Sequence, residues 1–326
     1  MKIWSLQSLR FFAALAVVVF HADGAIYQAT QRFGVLGRNG AVFGQAGVDV
    51  FFVLSGAIIA LTSKGLTAQA FAAKRATRIL PLYGAMAVLY LGMGNFAGTV
   101  GWRELVTTLT LWPALDRMTD PVVPVAWTLC FEALFYVAAA VILWRPWLVW
   151  PLLGVFASAL AIRADPVTRF IGNPMILEFI MGVGLIRLPR ARVGAVLIPV
   201  GVALVWLFGA KGYPPTTGAL NGDMTWQRVL YLGVPAALVV WGALQVEAQK
   251  SLFTYLGDTS YALYLVHVPV VVVVVGLLSR HTDLPPDAMT ITAAGLSIAA
   301  GWRVHESVEK PLLAWLRRPR RRPVLA

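Results

Sequence analysis

Arg10 and His21 stand eleven positions apart in an apolar stretch, and eleven steps of about 100° return a helical side chain to within about 20° of its starting direction. The two share one helix face, separated by about 16 Å along the axis, roughly half the thickness of a bilayer's hydrocarbon core. A neutral imidazole at that depth is a candidate general base, and a guanidinium at the mouth a candidate guide for anions. The same pair also reads as an arginine snorkelling at a helix end and a histidine making an interhelical hydrogen bond. The residues alone leave both readings open.

Three further groups carry charge or polarity into apolar sequence, where an ionisable side chain costs roughly 2.5 to 3.5 kcal/mol to insert at mid-membrane. Arg75 and Arg78, within Lys74-Arg75-Ala-Thr-Arg78, are at i and i+3 and so neighbours on a helix. They suit bidentate phosphate binding, but on the residues alone plain topological anchoring is the favoured reading. Thr128, Glu132 and Tyr136 repeat every four residues behind Trp127, with Glu132 roughly 10 Å deep and in need of a partner. Ser260, Tyr264 and His267 form another face, with His267 about 13 Å in, a depth like that of His21. Pro269 lies just beyond, able to free a backbone carbonyl toward a cavity. Asp49 is placed at the start of an apolar segment, where a helix N-terminus favours a carboxylate, and Glu178 comes just after Asn173-Pro174. Trp127, Tyr136, Tyr264, Asp49 and Glu178 are candidate substrate-binding residues. His305 and Glu309, at i and i+4, read as a structural tie. The four histidines have no metal-ligand spacing such as HExxH, so no metal site is expected.

Elements that hold such groups must be membrane helices. Of 326 residues 59% are hydrophobic and 13% charged, too little charge to cover a soluble domain of this length. Ten apolar segments are predicted to span: 9 to 29, 47 to 62, 79 to 97, 125 to 143, 147 to 162, 174 to 187, 194 to 209, 229 to 246, 258 to 278 and 288 to 304. The first carries Arg10 and His21 inside it and has no cleavage site after it, so it reads as a helix and not a signal peptide. With both termini cytoplasmic, most of the 27 basic residues fall on one side, as the positive-inside rule requires. The expected fold is therefore all-α and polytopic, with one transmembrane domain over 1–316 and a basic cytoplasmic tail over 317–326 that lies against anionic lipid headgroups. The net charge of +12 is explained by topology, and no nucleic-acid partner is expected. Cys130 is the single cysteine, so no intrachain disulfide forms.

Seven fragments in order, SLQSLRFFAALAVVVFHA (5–22), AGVDVFFVLSGAII (46–59), KRATRILPLYG (74–84), VAWTLCFEALFY (125–136), NPMILEFIMG (173–182), LGDTSYALYLVHVPV (256–270) and HESVEKP (305–311), resemble acyltransferase family 3, the bacterial membrane-bound O-acyltransferases of cell-surface and exported polysaccharides. The likeness is greatest to its short branch, which includes the succinoglycan O-acetyltransferase and lacks an extracytoplasmic esterase-like domain. Small departures, Phe11-Phe12, Gly56-Ala57 and Lys310, leave the implied reaction class standing and the acceptor open.

The resemblance implies transfer of an acyl group, most simply acetyl, from cytoplasmic acyl-CoA to a hydroxyl of a glycan or its lipid-linked precursor, in a multi-pass protein of the cell inner membrane. Acetyl-CoA is then a co-substrate, and no cofactor is permanently bound. It also implies that the Arg10/His21 and Arg75/Arg78 motifs matter for activity. Arg75, Arg78 and Arg10 would meet the donor's phosphates, His21 would act as base, and Glu132 or His267 would orient or relay the proton. A different class, a transporter or flippase of a lipid-linked sugar, would use the same buried groups as a proton relay but has no need of an Arg-x-x-Arg clamp. Succinyl transfer would call for a cation at the acyl end, which the sequence does not place.

Overall fold

In a bilayer core no water is present to satisfy backbone N–H and C=O groups, so the apolar stretches of this chain are driven into helices that pair those groups internally. The computed structural model describes residues 3–35, 37–93, 100–189, 194–210, 220 and 225–316. Their helices are α1 (Trp4–Thr30), α2 (Gly37–Thr62), α3 (Ala68–Gly92), α4 (Trp102–Thr110), α5 (Trp127–Trp144), α6 (Val149–Ile162) and α7 (Pro166–Ile171). Next come α8 (Ile176–Leu185), α9 (Gly194–Ala210), α10 (Thr225–Arg228), α11 (Val234–Gln245), α12 (Leu252–His281), α13 (Pro286–Val304) and α14 (Lys310–Leu316). Two π-helical turns, Val229–Gly233 and His305–Glu309, interrupt this pattern. Extended structure among the described residues is limited to one isolated bridge, Ala114 with Met118, so the chain is all-α as expected.

Every one of the ten apolar segments contains a helix. Five stretches are both long and apolar enough to cross a bilayer: Trp4–Thr30, Phe43–Thr62, Pro124–Trp144, Trp226–Gln245 and Leu252–His281. A sixth is added if Pro146–Ile162 and Pro166–Leu185, which meet at 117°, form one broken span. That bend has a local cause. Arg163 takes a left-handed φ of 43°, the Asp165 carboxylate caps the backbone N–H groups of Val167 and Thr168 at 2.9 and 3.1 Å, and Pro166 opens α7. The remaining segments are shorter or carry charge; α9 has 17 residues, and α3 holds Lys74, Arg75 and Arg78 within its length. The basic tail, and Lys2, Arg190, Arg192 and Lys211, lie outside the described residues.

Two close approaches position the site. A Cβ on Gly257 of α12 would stand 1.9 Å from the Gln7 carbonyl oxygen of α1, and one on Gly47 of α2 would stand 2.4 Å from that of Ala13. Only glycine permits helices to touch backbone to backbone in this way. α1 and α12 run parallel and bury Phe11, Ala14 and Val18 against Leu263 and Val271. On the opposite flank, Phe179 of α8 stacks on Phe52 of α2 and Phe135 of α5, with ring centroids 4.6 and 4.7 Å apart.

The structure corrects the expected setting of Asp49. α2 begins at Gly37, several turns earlier, so a helix N-terminus does not account for the carboxylate. Its partner is Arg228, whose Nε and Nη2 donate to Asp49 at 3.0 and 2.8 Å, with both side chains buried.

Candidate active site

His21 and His267 face each other across the α1/α12 seam, with His267 Nε2 3.2 Å from His21 Nδ1 and ring centroids 4.9 Å apart. Similar depth becomes direct contact because Gly257 lets the two helices close. The neighbouring carbonyls assign the protons. His267 Nδ1 donates to the Leu263 carbonyl at 3.2 Å, which leaves Nε2 of a neutral ring as an acceptor. His21 Nδ1 then carries its own proton, shared between His267 Nε2 and the Val17 carbonyl at 2.9 Å. The remaining nitrogen, His21 Nε2, holds a bare lone pair. His267 thus fixes the tautomer of His21, as an orienting partner does in many base-assisted sites.

Two cavities meet at Tyr264, whose ring centroid lies 5.9 Å from that of His267. The first, of about 130 Å³, is lined at one end by Arg10, Arg75 and Arg78, midway by Ser55, Glu132 and Tyr261, and at its far end by Val48, Phe51, Thr128 and Tyr264. Chain directions give that order, since α1, α3 and α12 enter from the side where α2 and α5 leave. The second cavity, of about 670 Å³, opens toward the 111–123 loop and is lined by His21, Gln45, Glu104, Arg117, Asp120, Trp127 and Arg228. Val48 and Tyr264 belong to both.

Of the sequence-derived site residues, Arg10, Arg75, Arg78, Glu132 and Tyr136 are gathered around the first cavity, His21 and Trp127 on the second, and Tyr264 between them. The two arginines of the i, i+3 pair are held differently. Arg75 donates to Thr62 Oγ1 at 2.9 Å and lies over the Phe71 and Tyr136 rings. Arg78 donates to Glu309 at 2.8 Å and lies over Tyr261. Glu309 also binds His305 Nδ1 at 2.7 Å, so the expected structural tie exists and extends to α3. Glu132 Oε1 accepts from Ser55 at 2.8 Å and from Tyr136. It faces the first cavity, and His267 alone of the two candidate relays touches His21.

Asp49 and Glu178 are both fully buried. Glu178 sits beside Asp49 and against Gly233, in the π-helical turn just after Arg228. Neither carboxylate lines either of these two cavities, whereas Arg228, which they adjoin, lines the second. Sequence reasoning missed Arg228, the last residue of α10, which falls just before the predicted span 229 to 246; Ser55 and Tyr261 were missed because small or common polar residues give no signal.

Ser260 is the one cavity-lining hydroxyl that lacks a partner: it has no exposed surface, and its Oγ has no hydrogen bond among the described residues. Outside the bundle, Arg103 pairs bidentately with Asp116, an interaction that lowers the Asp116 carboxyl to about 2 and pins the loop bearing Arg117 and Asp120.

A bundle of apolar helices that encloses two cavities with charged residues in their walls defines the class, a multi-pass membrane protein. Residues 3–302 match the family described as acyltransferase domain, and the chain belongs to this acyltransferase family 3. It is 34% identical to the exopolysaccharide production protein ExoZ of Rhizobium meliloti (strain 1021), over 87% of this chain and 93% of that protein. It is 24% identical to the acyltransferase MdmB of Streptomyces mycarofaciens, over 98% of this chain and 93% of that protein. No solved structure matches.

Proposed function

We propose that this acyltransferase moves an acetyl group from acetyl-CoA to a hydroxyl of a cell-surface or exported glycan, or of its lipid-linked precursor. The observation that carries this reading is the arrangement of the two cavities: guanidiniums ring one, His21 lines the other, and the two meet at Val48 and Tyr264. In this reading ten segments lie in the inner membrane with both termini cytoplasmic, and the arginine-lined cavity opens to the cytoplasm where acyl-CoA is found. Arg10, Arg75 and Arg78 receive the donor's phosphates, and the Ser260 hydroxyl meets a polar atom of the pantetheine arm. The acceptor sugar enters the second cavity against Trp127, with Glu104 and Asp120 as hydrogen-bond acceptors for its hydroxyls. Asp49 and Glu178 hold Arg228 at the wall of that cavity.

His21 Nε2 takes the proton of the attacking hydroxyl as its oxygen bonds to the thioester carbon. The tetrahedral intermediate collapses with cleavage of the C–S bond, and the imidazolium returns the proton to the departing sulfur. His267 stabilises the imidazolium by accepting from His21 Nδ1. No resident cofactor enters this scheme. The relatives' names, an acyltransferase and an exopolysaccharide production protein, support the reaction type and the class of acceptor.

The test is acyl transfer or hydrolysis of acetyl-CoA by purified, detergent-solubilised protein, with a polysaccharide or lipid-linked oligosaccharide as acceptor. His21→Ala should lower kcat by about 10²- to 10⁴-fold, the usual contribution of a positioned base, and Arg75→Ala should raise KM for acetyl-CoA. A folded wild type that moves a lipid-linked sugar across vesicles without consuming acyl-CoA would establish transport instead.

A further inference from the structure

The far end of the donor cavity differs in character from its mouth. Val48, Phe51, Phe52 and Leu129 wall it with hydrocarbon, and the Tyr264 and Thr128 hydroxyls are tied to each other at 3.0 Å and to the Val125 carbonyl at 3.1 and 3.0 Å. None of the residues lining that end is cationic. Glu132 lines the cavity midway, its Oε1 already accepting two hydrogen bonds, and Arg228, which lines the adjoining cavity, is bound by the Asp49 carboxylate. Val48 is 7% exposed and Tyr264 likewise, and both sit where one cavity gives way to the other.

We propose that Val48 and Tyr264 form the wall against which the donor's acyl group stops, and that this wall restricts the donor to a short, uncharged acyl chain. The inference rests on the acyl-CoA reading above and deepens it. A thioester carbonyl must reach the junction of the cavities to meet a hydroxyl from the other side. A methyl group then lies against Val48, while two further methylenes would need space that Val48 and the phenol ring of Tyr264 occupy. Close-packed walls resist such overfilling. A terminal carboxylate, as on succinyl, would leave water for an apolar end with no cation in its lining and with the Glu132 carboxyl on its path, while Arg228 beyond the junction is already paired with Asp49. The tied hydroxyl pair makes Tyr264 a fixed part of the wall, so Val48 is the side chain whose size sets the limit.

The experiment is a set of dissociation constants for CoA, acetyl-CoA, butyryl-CoA and succinyl-CoA, measured by titration calorimetry on monodisperse full-length protein in detergent. Wild type should bind acetyl-CoA at least about tenfold more tightly than butyryl- or succinyl-CoA, the scale expected for overpacking or for an unpaired buried charge. Val48→Ala should shrink the butyryl-to-acetyl ratio several-fold, and Val48→Ile should widen it, so that either variant suffices if the other does not fold. Equal affinities for the three acyl-CoAs, or a ratio that neither Val48 variant alters, would overturn the proposal while leaving acyl-CoA as donor. A folded wild type that binds neither CoA nor acetyl-CoA would sink the donor assignment and the acyl wall together.

Discussion

At the scale of single residues, the site is defined by who satisfies whom. His21 has its Nδ1 proton claimed by Val17 and His267, which is what frees Nε2 for chemistry. Ser260 is the converse case, a buried hydroxyl without a protein partner among the described residues, a group that costs roughly 1 to 3 kcal/mol wherever water does not reach it. Ser260→Ala should therefore raise the thermal midpoint of the ligand-free protein while weakening acetyl-CoA binding, opposite signs that differential scanning fluorimetry with and without acetyl-CoA will read. A stability loss, or unchanged binding, would show that the hydroxyl serves only packing. Much of this was legible in the sequence. Arg10, His21, Arg75, Arg78, Glu132 and His267 are anomalies in apolar surroundings, and lipid makes anomalies conspicuous. Their partners were not legible. That Glu132 bonds Ser55, seventy-seven positions away, depends on how α2 and α5 pack, and nothing local encodes it.

At the scale of elements, two features convert a hydrophobic pattern into geometry. The first is the α1/α12 seam, where Gly257 lies on the Gln7 backbone. A methyl group there must push the helices apart, so Gly257→Ala should cost roughly 1 to 3 kcal/mol and should lower kcat far more than it raises KM for acetyl-CoA, because the seam carries the His21 and His267 rings while Arg75 and Arg78 are carried by α3. Steady-state kinetics alongside a melting curve would separate the two effects, and unchanged kcat in a folded variant would refute the link. The second is the pair of π-helical turns. Each adds a residue to its turn and so rotates the helix beyond it: one sets Gly233 on Glu178 behind Arg228, the other faces His305 and Glu309 toward Arg78. Hydropathy placed a helix over the first stretch and ended its last span at 304, just before the second; the one-residue offset of a π turn leaves no trace in an apolar pattern.

At the scale of the whole molecule, the proposed topology sends the arginine-lined mouth to the cytoplasm and the 111–123 loop to the other side. Cys130 is buried, so a protein with cysteine introduced in place of exposed Lys64 or Asp283 reports one position at a time. A membrane-impermeant maleimide added to intact cells should label the Asp283→Cys protein and spare the Lys64→Cys protein; the reverse pattern would invert the assignment of cavities to donor and acceptor. The ion pair of Asp49 with Arg228 reaches beyond the finished fold. Each of these residues lies within a stretch long and apolar enough to span, and each is costly to hold in lipid alone. Asp49 leaves the ribosome long before Arg228 exists, so the growing chain carries an unanswered acid through most of its synthesis, and a chain that ends early never answers it. Only once the chain extends past Arg228 can both charges be paired, so the stretch that carries Asp49 gains its buried counter-charge late in synthesis.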